Sequence, residues 1–190
     1  ENFAVTRTNR EEVYQQIVDD MEAAVTDLPW YNEVSSYEGR PTKGAAMGLL
    51  ARAYLFRAGY SLHQNGEMER PDNYLEYYKK VKEICAELIN SHRHSLNASY
   101  EKVFKNVCES VMEPSEVMYE VQFYNPSGEN DHSSKIGSYN SPEINRNSSY
   151  GLGNSFIKTT HFAYDFYEAG DIRRETAIAT FKIDANDKVI

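Results

Sequence analysis

Two cysteines in 190 residues are too few for a disulfide framework, and six prolines with ten glycines do not make a fibrous or low-complexity chain. No apolar run approaches the roughly 20 residues that a membrane-spanning helix needs. Positive charge is also scarce. Twenty Lys and Arg stand against 29 Asp and Glu, a net charge of -9, which argues against a nucleic-acid partner because phosphate binding requires clustered cations. No signal-peptide pattern opens the chain, and its first residue is Glu1 and not Met, so the expectation is a processed product or an internal piece. Only one tryptophan is present, beside 15 tyrosines and eight phenylalanines. Tyrosine suits packing between helices and equally suits sugar stacking.

The apolar spacing is helical over the first 110 residues. A helix is expected over 9–28, with Thr8 and Glu11 at capping-box spacing and Val13, Ile17, Met21, Ala24, Val25 and Leu28 on its buried face. A second is expected over 42–58, capped by Thr42. Its small residues Gly44, Ala45, Ala46, Gly48, Ala51 and Ala53 allow close approach of neighbours, and Ala46, Leu49, Leu50, Ala53, Tyr54 and Phe56 form a stripe. Thr8 to Thr42 is 34 residues, the period of a tetratricopeptide-type helix pair. A third helix over 73–91 should turn Leu75, Tyr78, Val81, Cys85, Leu88 and Ile89 inward, making Cys85 a buried free thiol; a short one follows, capped by Ser99.

Beyond residue 110 the pattern changes. Val117, Tyr119, Val121 and Phe123 alternate as the buried face of a strand. Residues 125–154 are rich in Ser, Asn and Gly and read as a long loop, followed by a helix over 155–169 ending at Gly170. Ala177 to Ile183 then alternates as a strand, with a hairpin turn over 184–188 and a partner strand from Val189. The resulting fold class is mainly α: antiparallel helical pairs over 8–110, then a strand, a long loop and a helix over 115–190.

Catalytic constellations are thin. Asp165 and Glu168 share a helix face near Asp171, and paired carboxylates serve glycoside hydrolysis when held at the proper separation, but Arg173 and Arg174 beside them favour an ion-paired turn. His92 and His94 lack acidic or cysteine companions for a metal and read as solvent-facing loop residues. Lys43-Gly44 lacks the spacing of a phosphate loop. No enzyme, cofactor or metal is expected. A binding function fits better: Tyr124, Tyr139 and Tyr150 offer stacking faces in the polar segment, and Asn130, Asn140 and Asn145 can bond hydroxyls, with Tyr124, Tyr139, Asn140 and Tyr150 the ligand-contact candidates. Trp30 and Tyr31 fit a packing anchor.

Several segments, in order, resemble the SusD/RagB family of outer-membrane lipoproteins. They are Gly39-Arg40 with Thr42-Lys43-Gly44-Ala45-Ala46 and Leu49 to Leu55, Tyr77-Tyr78 with 84–91, Ser95-Leu96 with Tyr100 and Phe104, Ser115 to Val121, and Phe166 to Arg174. Ile172 stands where the last motif usually carries proline. The resemblance implies an internal portion of a larger SusD-like fold. It also implies non-catalytic capture of oligosaccharides, or of peptides in some branches, at the bacterial surface. The full-length protein would be lipid-anchored in the outer membrane, through an anchor that is not in this chain, and would deliver ligand to a SusC-like TonB-dependent transporter. The alternative is a helical-repeat adaptor for a protein or peptide.

Overall fold

The computed structural model describes residues 6–35, 39–63, 65–121 and 135–190. The chain is mainly helical and divides into two compact units, Glu1–Asn97 with Ser110–Val121, and Ala98–Glu109 with Gln122–Ile190.

The first unit is built on α1 (Arg10–Asp27), α2 (Lys43–Ala58) and α3 (Tyr74–Asn90). α2 packs against both others. Arg57 near the end of α2 bonds Glu11 at the start of α1, while the Lys43 amide donates to Pro29 O beyond the end of α1, so the pair is antiparallel. Tyr54 and Arg57 lie on Tyr77 near the start of α3, and Gly44 faces His94 past its end, which makes the second pair antiparallel too. Val18, Leu50 and Tyr54 form the core, with Met21, Val25, Tyr77, Val81 and Ile84 against it. Full burial of side chains such as Val18 and Leu50 supplies about 1.5–3 kcal/mol each.

Helix boundaries agree with the apolar spacing, but caps and faces differ in part. Asn9, not Thr8, caps α1, its side chain accepting from Glu11 N at 2.8 Å; Asn is as good a cap as any residue and sits one position closer. Thr42 occupies the N-cap of α2 without a side-chain bond, and its buried Oγ1 has no hydrogen-bond partner. On α1 the covered side runs through Tyr14, Val18, Met21 and Val25, leaving Val13 and Ile17 exposed. On α2, Ala46, Leu50 and Tyr54 are buried as expected, whereas Leu49 and Phe56 face out. On α3 the covered side is Tyr74, Tyr77, Val81, Ile84 and Leu88, and Leu75 and Ile89 are exposed. Cys85 is a half-buried free thiol and Cys108 an exposed one. Each helix carries apolar residues on two adjacent sides, and period alone does not choose between them.

Among the described residues, one charge lies inside this unit. Arg57 is 6% exposed; its Nε donates to Glu11 Oε2 at 3.0 Å, an Nη to Gln15 Oε1 at 3.1 Å, and its guanidinium covers the Tyr77 ring. A buried cation is tolerable only with such satisfaction. After α2 a short antiparallel hairpin pairs β1 (Ser61–Leu62) with β2 (Met68–Glu69) around Gly66, whose φ is 85°. Nothing in the apolar spacing announces strands this short.

The expected strand from Val117 is not formed over 117–121, the part that is described. Val117 N bonds back to Glu113 O, and Met118 lies against Gly48 of α2. Alternation makes a strand only where a partner edge exists, and here the segment backs onto a helix.

The second unit contains α4 (Tyr100–Cys108), α5 (Ile136–Asn140), α6 (His161–Asp165) and α7 (Ile172–Ala177), with α4 and α7 in contact. Ser99 caps α4 as expected, accepting from Lys102 N. The expected helix over 155–169 shrinks to the five residues of α6, capped by Thr160; Gly170 does take the left-handed turn, at φ 85°. The expected strand over 177–183 is replaced at its start by the end of α7, because Asp171 caps a new helix there. The hairpin closing the chain forms as read: Ile183 pairs with Val189, and Lys182 and Ile190 exchange two 2.9 Å bonds around the 184–188 turn.

Candidate functional site

The polar segment is not a featureless loop where it is described. α5 sets Tyr139 and Asn140 side by side. Tyr139 O accepts from Phe156 N at 2.9 Å, and the two rings lie 5.2 Å apart, tilted. Asn140 Nδ2 donates to Ile136 O at 2.9 Å, which fixes its amide along the helix. Tyr124 and Asn130 lie outside the described residues.

Single bridges order the rest. Ile144 pairs antiparallel with Gly153 and parallel with Ile183. Gly153 is required by space, since a Cβ there would stand 2.4 Å from Pro142 O. Between Ile144 and Gly153 a turn displays Tyr150, which is 67% exposed. Asp187, in the closing hairpin, grips that turn. Ser148 Oγ donates to its Oδ1 at 2.6 Å, Ser149 N to Oδ1 at 2.8 Å and Ser149 Oγ to Oδ2 at 2.7 Å. The hydrogen bond from Ser148, then those from Ser149, hold the Asp187 carboxyl below its ordinary pKa.

Beside α5 an open groove of about 550 Å³ is lined by Asn140, Glu143, Lys158, Thr180, Phe181 and Lys182 among others. Lys182 Nζ donates to Glu143 Oε2 at 2.7 Å, and this bond, aided by the Lys158 charge, lowers the Glu143 pKa. The groove thus mixes amide, hydroxyl and paired charge with an aromatic wall. Asn140 lines it and Tyr139 is its chain neighbour; Tyr150 is not among its lining residues. Phe156, Phe181 and the Lys182–Glu143 pair were not singled out from sequence. Phe156 fell inside an expected helix and Phe181 inside an expected strand, so neither spacing marked them as a site.

The weighed catalytic groups resolve differently. Asp171 caps α7 and takes three bonds from the Arg173 guanidinium, from Nε to Oδ1 at 2.9 Å and to Oδ2 at 3.0 Å, and from Nη2 to Oδ2 at 2.5 Å. That side-chain bond first, then the Arg173 amide, lowers its pKa to about 2. This is the ion-paired turn. His161 lies 3.5 Å from Asp165, an i,i+4 pair on α6. Among the described residues no three His, Cys, Asp or Glu side chains gather as a metal site. His94 is not solvent-facing. Its Nδ1 lies 3.1 Å from Pro114 O and 3.2 Å from Ser115 O, and its ring packs on Tyr31 and Trp30, which are the packing anchor expected of them. Two carbonyls at Nδ1 require the proton to sit there, which leaves Nε2 buried and unbonded against Gly44.

No helix among the described residues is long and apolar enough to cross a membrane. A family model described as "SusD-like_3: Starch-binding associating with outer membrane" matches residues 1–55. No curated protein sequence matches the chain. Among solved structures, a SusD homolog from Bacteroides thetaiotaomicron VPI-5482 is similar over 94% of this chain, at 26% identity and a TM-score of 0.69. The chain spans 33% of that protein's length.

Proposed function

We propose that this SusD-like chain is a portion of a non-catalytic, surface-exposed receptor that captures oligosaccharide at the bacterial outer membrane and passes it to a SusC-like TonB-dependent transporter. The observation that carries the reading is the juxtaposition in one unit of an open polar groove and outward-facing aromatic rings. Sugars are held by hydrogen bonds to their hydroxyls and by stacking of their C–H faces on rings. Asn140 and Thr180 offer the first and Tyr139 and Tyr150 the second, with Tyr124 as a further stacking candidate. The Asp171 carboxylate is bonded to Arg173, which supports binding over hydrolysis. Lipid anchoring in the full-length protein would keep this receptor at the membrane without a spanning helix.

A second reading, a helical-repeat adaptor for a protein or peptide, draws on the exposed apolar residues of the first unit, Val13 and Ile17 on α1 and Leu75 and Ile89 on α3. Screening the chain against an array of starch, xylan, mannan and host-glycan oligosaccharides, beside a peptide library, separates the two. Glycan binding weakened by Tyr139→Ala or Tyr150→Ala supports the receptor. Peptide binding alone, unaffected by those changes, overturns it.

A further inference from the structure

Asp187 combines two features. Its φ of 63° lies in the left-handed region, where glycine is the usual choice and an aspartate is tolerated at some cost. Its neighbours define that geometry: Asp184 N donates to Lys188 O, Asp184 Oδ1 accepts from Asn186 N and Lys188 N, and the ladder is closed at Ile183 and Val189. A glycine at 187 would serve the turn at least as well, so the side chain is what the position gains from aspartate. That side chain reaches across 38 and 39 residues of sequence to Ser149 and Ser148.

The bonds form a relay that ends on the exposed ring's own backbone. Tyr150 N donates to Ser148 Oγ at 3.2 Å, and Ser148 Oγ in turn donates to Asp187 Oδ1. Gly151, at φ 83°, turns the chain immediately afterwards. Tyr150 is therefore held at its main chain on a turn that is anchored at its base by Asn145 N to Ile183 O and otherwise closed by local bonds, Ser148 N to Asn145 O, Asn147 N to Asn145 Oδ1 and Gly151 N to Ser148 O. A ring that must present one face to a ligand gains affinity from being fixed before the ligand arrives, because less freedom is lost on binding.

We propose that Asp187 is a positioning residue for ligand binding, pre-setting the Tyr150 turn through Ser148 and Ser149 so that the ring meets a sugar face. The inference rests on the stacking role given to Tyr150 above. It assigns no ligand contact to Asp187 itself, whose oxygens are both turned to the two serines.

Asp187→Gly isolates the carboxylate, since glycine keeps the left-handed turn and removes only the grip. Asp187→Asn keeps one acceptor oxygen and serves as the conservative variant. Amide hydrogen exchange at Ser149 and Tyr150 reads the grip without any ligand, and calorimetric titration with maltoheptaose reads its consequence. With Asp187→Gly, exchange at both amides is expected to quicken about tenfold and binding to weaken about tenfold, with Asp187→Asn between, from the loss of charge-assisted bonds. The thermal transition should stay close to that of the unmodified chain. In a Tyr150→Ala background, Asp187→Gly should cause no further loss of binding; independent addition of the two effects would instead mark a general structural role and overturn the proposal. Unchanged exchange in Asp187→Gly also overturns it. If Tyr150→Ala loses binding while Asp187→Gly retains it, the stacking role stands and Asp187 alone is excluded. If Tyr150→Ala titrates like the unmodified chain, the stacking role falls and this inference falls with it.

Discussion

The two units reach order by different routes. In the first, long helices bury side chains at 3.6-residue spacing, and Val18, Leu50 and Tyr54 meet in one place. In the second, α5, α6 and α7 are five or six residues each, and order comes from single bridges at Ile144, Gly153, Ile183 and Val189 and from the Asp187 grip. A periodic core is a sum over many similar contacts, whereas a bridged unit depends on a few unlike ones. The first kind tolerates an error of register on one face. The second puts its weight on individual atoms.

The sharpest test of this contrast is Leu50→Ala. It should cost about 2–5 kcal/mol, the range for deleting a buried leucine, and shift the urea midpoint of helical signal by a correspondingly large amount. An unaffected midpoint would mean that the helical unit is not held by the core described.

Next in size is a matched pair of glycines. A Cβ on Gly44 would fall 2.0 Å from His94 Nε2, on a ring held by two carbonyls and two aromatic neighbours. Gly44→Ala should therefore cost about 1–3 kcal/mol through overpacking, read as a lower helical melting temperature. Gly153→Ala meets Pro142 O at 2.4 Å and should disturb the Ile144 bridge while leaving the α1–α3 core intact. Amide exchange would then rise at Ile144 and not at Leu50. A rise at both would erase the distinction between the units.

The smallest effects are those of pH, and they act at opposite ends of the scale. The Tyr54 hydroxyl donates to Glu22 Oε1 at 2.8 Å, and burial first, then this bond, pushes its pKa to about 12 from 10.0. A raised folded pKa stabilises fully below pH 10, and that contribution is lost as pH rises from 10 toward 12. Tyr54→Phe should flatten the alkaline decline. Asp171 has the reverse sign: its pKa is lowered to about 2 from 3.8, so its contribution is present above pH 4 and lost as pH falls toward 2. Asp171→Asn should remove that acid step from the exchange of α7 amides and leave the α1–α3 amides unchanged.

How far each unit was legible in the sequence follows the same division. α1, α2 and α3 are found within two residues of their apolar patterns because burial writes a period into the chain. The expected faces were right at Met21, Ala24, Val25 and Leu28 of α1 and at Val81, Cys85 and Leu88 of α3, and wrong at Val13, Ile17, Leu75, Tyr78 and Ile89, since Val13 and Ile17 are as apolar as Val18, which is buried in their stead. Ser99 and the 184–188 hairpin were legible from local chemistry, a cap hydroxyl and a run of turn formers. The helix expected over 155–169 was not, because apolar residues such as Phe156, Ile157 and Phe162 stay exposed there and mark no common face. The candidate site was legible as a region, from aromatic rings in a polar stretch. Asn140 was named from sequence and lines the groove, whereas the grip of Asp187 on Ser148 and Ser149 spans nearly 40 residues and has no local signature.

The packing of His94 on Gly44 has a consequence for how this chain can vary. The two positions lie 50 residues apart, yet the absence of a side chain at one is the space occupied by the ring at the other. A change at either is felt at the other, so the cost of enlarging residue 44 depends on what stands at 94. A smaller side chain at 94 should relieve the strain of an alanine at 44, and the two changes together should cost less than the sum of each alone.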